Sequence, residues 1–338
     1  MRIFLYEWAT GGGLVDEPAS LPASLVREGA AMIRALAADF ARIEGCQVTA
    51  LRDPRVLQLA LPGCEVVDVQ SRSAHGEELE RQASAADATI LIAPEFDHIL
   101  LNTARRAMAG GGQLLSPYPA FISIAANKAR TCERLAAAGV PTPEGVLLEP
   151  DEPLPTKFKY PAVLKPVDGA GSQDIYVVSG PYDSAPAYAW PRRLEQFMPG
   201  MAASVAVLCG PSGRVPLAAC RQRLSDDGRL RYLGGDLPLA KGLAERAMQL
   251  ADRAVAAMPA TIGYVGVDLV LGPDPHGSDD AVIEINPRPT TSYVGLRAAA
   301  RTNLAEAMWN VSRGEIAFVD FDSRPLEFDP SGNVSFVT

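Results

Sequence analysis

The feature that most constrains this chain is an alternation within its first 115 residues. Short apolar or β-branched runs at 3–6, 48–51, 66–69, 89–93 and 113–115 are separated by helix-like stretches. Between the first two runs, Leu25, Val26, Gly29, Met32, Ile33, Leu36 and Phe40 recur at helical spacing. A period that switches between strand and helix in this way predicts right-handed βαβ units around a parallel sheet. Ligands of such sheets sit beyond the carboxyl ends of the strands. Two turns there are candidates for substrate contact: the one after the first strand, with Glu7, Gly11, Gly12 and Gly13, and the one after the fourth, with Glu95.

With 338 residues the chain holds two or three packed units. A helix at 125–138 is closed by Gly139 and Pro141, a helix-stop signature. The stretch to residue 200 is rich in Pro and Gly, with short strands at 146–148, 162–165 and 175–178, and reads as a small β-rich module. Longer strands follow at 204–208, 215–221, 264–271 and 281–285, with helices at 242–258 and 296–311, which suggests an α+β unit. The expected division is 1–116, 117–200 and 201–315, then a weakly patterned tail at 316–338. A formal net charge of −9 argues against a nucleic-acid binder, because phosphate backbones reward clustered Lys and Arg. The five cysteines are scattered without metal or redox spacing, no apolar run is long enough to cross a bilayer, and the first residues read as a buried strand. The expected compartment is the cytoplasm.

The segment 263–271 is apolar except for Asp268, residues 273–280 form a polar turn, and 281–286 is the return strand. With Leu271 opposite Ala281, Asp268 comes opposite Glu284, and the strand period of two puts Asn286 on the same face. Two acids facing each other in an apolar sheet repel and lose hydration. A divalent cation removes both problems, and carboxylates plus an amide oxygen suit Mg²⁺ shared with phosphate oxygens rather than Zn²⁺. Arg288, just beyond, is placed to meet negative charge on a transferring phosphoryl group.

Lys165 leaves an apolar run into a loop with Gly169, Gly171 and Ser172, which can bring a cation and backbone N–H groups to phosphates together. No Gly-Lys-Ser/Thr follows, so it is not a Walker loop. Lys128 opens the helix after Asn127. Glu195, Gln196, Phe197 and Met198 form a short extended linker whose backbone suits an adenine edge. Arg221 and Arg223 lie two apart on a strand, and one of them is a candidate for binding a carboxylate or phosphate.

Taken in order, Asn127-Lys128, Lys165 with its Gly loop, the hinge Glu195 to Met198, Asp268 and Glu284-x-Asn286-Pro287-Arg288 resemble the ATP-grasp superfamily over residues 117–313. The resemblance implies a Rossmann-like parallel α/β domain followed by a two-lobed ATP-grasp fold, α/β and α+β in class. It implies that Lys128 and Lys165 contact the phosphates of ATP, that the hinge frames the adenine, and that Asp268, Glu284 and Asn286 bind two Mg²⁺ ions, or Mn²⁺ in their place. One departure is visible: Met201-Ala202-Ala203-Ser204 lacks the glutamate that many members place after the hinge to hold the ribose.

More narrowly, Tyr6-Glu7 with Thr10-Gly11-Gly12-Gly13, Ala93-Pro94-Glu95, and Asn286-Pro287-Arg288-Pro289-Thr290-Thr291-Ser292 are similar to the tyramine–glutamate ligases of methanofuran biosynthesis and their bacterial counterparts in one-carbon metabolism. That likeness implies an acyl-phosphate ligase joining the γ-carboxylate of glutamate to tyramine or a related aromatic amine such as tyrosine. Glu7 and Glu95 would then bind an ammonium group, and Gly11, Gly12 and Gly13 a carboxylate. The partners expected are these small molecules, with no nucleic acid and no membrane, and a homodimer is allowed. The alternatives are a ligase joining two amino acids and a non-catalytic nucleotide-binding module.

Overall fold

The structure, a computed structural model, describes every residue except Pro18, Ala19, residues 170–173, Ala185, Ala187 and Thr338. The N-terminal alternation folds as β1 (Arg2–Glu7), α1 (Ala23–Phe40), β2 (Gln47–Arg52), β3 (Cys64–Asp68), α2 (Arg72–Ala85), β4 (Ala88–Ile92) and α3 (Ile99–Ala109). Its four strands are all parallel, in the order β3-β2-β1-β4. Successive residues of β1 serve opposite faces, as a strand requires. Ile3 and Leu5 pack toward α1, while Phe4 and Tyr6 pack toward α2 and α3. The expected fifth run at 113–115 contributes only a bridge from Leu114 to Thr89.

Two helices, α4 (Pro119–Ala125) and α5 (Lys128–Ala137), lead onward; the Asn127 side chain caps α5 by accepting from the Arg130 N–H at 3.0 Å. A small antiparallel sheet follows, built of β5 (Gly145–Leu148), β6 (Ala162–Pro166), β7 (Tyr176–Val178) and β8 (Arg192–Gln196) in the order β5-β8-β6-β7. Glu195 and Gln196, expected in the linker, thus belong to an inner strand, β8, bonded on both sides.

The third unit contains β9 (Met201–Gly210), β10 (Gly213–Pro216), β11 (Cys220–Leu224), β12 (Tyr232–Leu237), α6 (Lys241–Ala256), β13 (Gly263–Leu271), β14 (Ala281–Asn286), α7 (Ser292–Ala299), α8 (Leu304–Ser312), β15 (Leu326–Phe328) and β16 (Val334–Phe336). Its eight strands run β14-β13-β9-β11-β12-β15-β16, with β10 paired to β9. The strand expected at 215–221 is two strands, and the helix expected at 296–311 is two helices, the second capped by the Asn303 side chain. The residues expected as a tail supply the last two strands, and Leu326 and Phe328 are buried in the core.

One face of the large sheet packs on α6 through Val205, Val207, Val265 and Val267. The other face, through Ala206, Leu208 and Tyr264, shares a continuous core with α1, α7 and α8. A buried carboxylate reinforces that junction. Asp39 of α1, fully enclosed, accepts from the Tyr293 hydroxyl at 2.8 Å and from Arg297 at 2.7 and 3.0 Å, both on α7. Among the described residues, no helix is long and apolar enough to cross a membrane.

Candidate active site

A cavity of about 660 Å³ opens where β6 and β8 of the small sheet face β9, β11, β13 and β14 of the large one. Its walls include Lys165 and the hinge residues Glu195, Gln196, Phe197 and Met198. Asp268, Glu284, Asn286 and Arg288 line it from the large sheet and the turn beyond. Residues as far apart in the chain as Lys165 and Arg288 are therefore brought to one place by two sheets.

The hairpin of β13 and β14 places Asp268 opposite Glu284 and Gly266 opposite Asn286. Toward the turn the register slips between Asp268 and Leu269, so Ala281 faces Val270 and not Leu271. The bulge lies outside the acid pair, and the expected juxtaposition of the carboxylates is present. Asp268 accepts from Asn286 Nδ2 at 3.0 Å and from Gln222 Nε2 of β11 at 2.8 Å. Burial, then the neighbouring charge of Glu284, pushes the Asp268 carboxyl up to about 7, against those two hydrogen bonds. Burial acts the same way on Glu284, but Lys128, Lys165 and Arg288 outweigh it and hold that carboxyl below its ordinary range. Lys128 donates to Glu284 at 3.0 Å and to the Gly169 carbonyl at 3.2 Å, and although burial opposes its charge, Glu284 keeps its ammonium above the usual value.

An acid pair in which burial and the facing charge push one member toward neutrality is short of positive charge. Two carboxylates and an amide, converging without His or Cys, fit a hard divalent cation that takes its remaining oxygens from phosphate and water.

The other cations also have carboxylate partners. Lys165 forms a buried ion pair with Glu195, which accepts from Arg193 Nε at 3.1 Å as well. The Glu195 side chain is therefore turned to Lys165 and Arg193, and its backbone is held in the ladders of β5 and β6. Arg288 binds Glu95 in bidentate fashion, Nε at 2.8 Å and Nη2 at 3.2 Å, with Glu95 almost wholly buried.

The loops expected to hold substrate are put to other use. Glu7 is fully enclosed and accepts from the Ala9 N–H, the Thr10 N–H and the Thr10 hydroxyl, at 3.1, 2.7 and 2.6 Å. The Gly11 and Gly13 N–H groups donate to the carbonyls of Glu7 and Trp8, and Gly12 is buried between them. Neither that turn nor Glu95 lines the cavity. Arg221 borders it, but its guanidinium pairs with Asp236 at 2.8 Å. Strand alternation turns the next residue, Gln222, to the Asp268 face instead. Gly171 and Ser172 lie outside the described residues.

Gln222 and Glu28 are polar cavity residues not singled out in the sequence. Gln222 carries no local signal, since only its cross-sheet partner reveals it. Glu28 of α1 lines the cavity beside Arg288 and Tyr232. Its signal was present: it stands one turn before Met32, on the flank of the buried helical stripe.

This arrangement agrees with what the chain matches. Residues 125–292 match the ATP-grasp domain, and residues 46–122 match the pre ATP-grasp 3 domain. The chain belongs to the ATP-grasp family. The tyramine–L-glutamate ligase of Methanocaldococcus jannaschii is 25% identical over 320 residues, covering 94% of this chain and 91% of the relative. In fold, an ATP-grasp superfamily protein from Archaeoglobus fulgidus superposes with a TM-score of 0.73 at 21% identity, covering 97% of this ATP-grasp chain and 92% of the other. An ADP complex of N5-carboxyaminoimidazole ribonucleotide synthetase gives a TM-score of 0.74 at 17% identity, over 97% and 81%.

Proposed function

We propose that this ATP-grasp ligase joins the γ-carboxylate of glutamate to tyramine or a related aromatic amine such as tyrosine. The observation that carries the ATP chemistry is the face-to-face pair Asp268 and Glu284, with Asn286 beside them and Lys128, Lys165 and Arg288 around them. The choice of substrates is supported by the relative's name and by its coverage of nearly the whole chain.

In this reading Asp268, Glu284 and Asn286 hold two Mg²⁺ ions, with Mn²⁺ as a substitute, and the ions supply charge neutralisation at the phosphates. Lys128 and Lys165 take the phosphate oxygens, while the residues from Glu195 to Met198, with Leu269 and Ile283 opposite, enclose the adenine. The substrate carboxylate attacks the γ-phosphate of ATP, ADP leaves, and the amine displaces phosphate from the resulting acyl phosphate. Arg288 stabilises the negative charge that moves onto the transferred phosphoryl oxygens. Glu95 fixes its guanidinium in one orientation for that purpose. The five free cysteines suit a reducing cytoplasm, where we place the enzyme.

The test is ADP release with Mg²⁺, glutamate and a panel of amines that includes tyramine and tyrosine. Release with tyramine or tyrosine only is expected. Release with an ordinary amino acid instead would identify a ligase joining two amino acids. No release with any pair, despite ATP binding, would remove the ligase reading.

A further inference from the structure

The charged groups around the cavity are almost all matched within the protein. Lys165 is paired with Glu195, Arg288 with Glu95, Glu284 with Lys128, and Arg221 with Asp236. Asp268 has its two amide donors. Glu28 differs: it lines the same cavity, is half-buried, and forms no hydrogen bond or ion pair with any described residue. It enters from α1, close enough to Arg288 and Tyr232 for its charge to act on both.

Its backbone is fixed closely. The adjacent Gly29 lies so near the Glu7 carboxylate that a Cβ there would sit 2.4 Å from Glu7 Cδ. Glu7, saturated by Ala9 and Thr10, is thus a platform under the first turns of α1. The charged and titratable groups that act on Glu28 are Arg288 and Arg27, with Tyr232 beside it. Burial nonetheless raises its carboxyl above the ordinary range. Arg288, held by both oxygens of Glu95, is not its hydrogen-bonded partner.

Both substrates of the proposed reaction carry a primary ammonium: the acceptor amine before it reacts, and the α-amino group of glutamate. An alkylamine titrates near the lysine value of about 10.4 and the α-amino group of a free amino acid lower but still above neutrality, so each arrives charged and loses water on entering the cavity. Glu7 and Glu95 are both occupied. We propose that Glu28 is the ammonium-binding subsite of this cavity, the carboxylate that receives the primary ammonium of a substrate. The inference rests on the proposed ligase reading for the identity of those substrates, and on the cavity alone for the subsite.

The test measures equilibrium binding in the presence of Mg²⁺ and a non-hydrolysable ATP analogue. Tyramine is compared with its alcohol counterpart, in which a hydroxyl replaces the amine, and glutamate with glutarate, which lacks the α-ammonium. In the wild type, one pair is expected to favour the ammonium-bearing member by about tenfold or more, the range of a charged hydrogen bond. Glu28→Gln is expected to bring that ratio to within about twofold, with affinity for the ATP analogue and thermal midpoint retained, while Glu28→Asp keeps part of it. The pair that loses its ratio identifies which ammonium is bound. An unchanged ratio in Glu28→Gln, or no preference by the wild type in either pair, overturns the subsite. If the wild type releases ADP with glutamate and tyramine while Glu28→Gln keeps its ratio, the subsite alone fails. An absence of ADP release with every pair is a failure of the ligase reading, seen in a separate assay.

Discussion

Replacing Arg288 with Met tests whether this guanidinium is a structural counter-ion, a catalytic group, or both. Its side chain is 12% exposed and that of Glu95 is 3%, so the pair is largely desolvated. Removing one member of such a pair costs about 3–5 kcal/mol, chiefly because the other charge is left buried alone. The upper part of that range is expected here, since Glu7, Glu28, Asp268 and Glu284 also feel the charge of Arg288. In Glu95→Gln with Arg288→Met, the orphaned carboxylate disappears, and about 2–3 kcal/mol of the loss should be recovered as a coupling energy. Full recovery is not expected, because the remaining acids still lack their cation. Urea unfolding of ligand-free protein, with an unchanged slope, measures these terms. ADP release measures the other role: loss of a charge-stabilising donor lowers turnover by about 10²–10³, and the double variant should stay equally inactive. Additivity of the two substitutions to within about 0.5 kcal/mol would refute the buried-pair argument. Recovery of turnover in the double variant would refute a catalytic role and leave Arg288 as a counter-ion only.

Glu284→Gln should stop ADP release in a chain that keeps its circular dichroism spectrum, because it removes one of the two facing carboxylates while preserving size; near-normal turnover would contradict the metal assignment. Phe328→Ala should cost about 3–5 kcal/mol in urea unfolding, the range for emptying a buried aromatic site. The ring is pressed against Gly295 of α7, where a Cβ would come within 2.3 Å of it, so turnover should fall too as the turn carrying Arg288 loosens. A loss below about 1 kcal/mol would mean that the last strands are not part of the core.

What could be read in the sequence depended on whether a segment's burial comes from its own side chains. The runs at 3–6 and 89–93 are apolar, and both became strands of the parallel sheet. Residues 192–196 hold one apolar side chain, Leu194, and their end at Glu195 and Gln196 reads as part of a linker. They are nonetheless an inner strand, because Arg193 and Glu195 bury each other with Lys165, and Arg192 donates to the carbonyls of Glu149 and Glu152. Apart from the Arg193–Glu195 pair, those partners lie 30 to 43 residues away, and spacing cannot show them. The strand at Tyr232–Leu237 was hidden for a related reason: its Gly234 and Gly235 carry no pattern. The hairpin register was legible at the acids and not at the turn, since a bulge leaves no mark in an apolar run.

The site shows the same division at the level of charge. Lys128, Lys165, Asp268, Glu284 and Arg288 were identified as residues, yet their partners come from other elements: Glu284 for a lysine on α5, Glu195 for one on β6, Glu95 for an arginine beyond β14. Buried ion pairs contribute little net stability compared with apolar packing of the same volume. Three of them around one cavity are therefore a poor way to hold a fold together. They are an effective way to keep three cations oriented and dehydrated beside a space that phosphates are to enter, because the reorganisation is completed in advance. The same reasoning makes the exception informative. Asp268 and Glu284 face a space suited to a metal ion, and the cations of the cavity wall have carboxylate partners. Glu28, on a backbone braced by Gly29 and Glu7, has no partner among the described residues and leaves room for one further positive group.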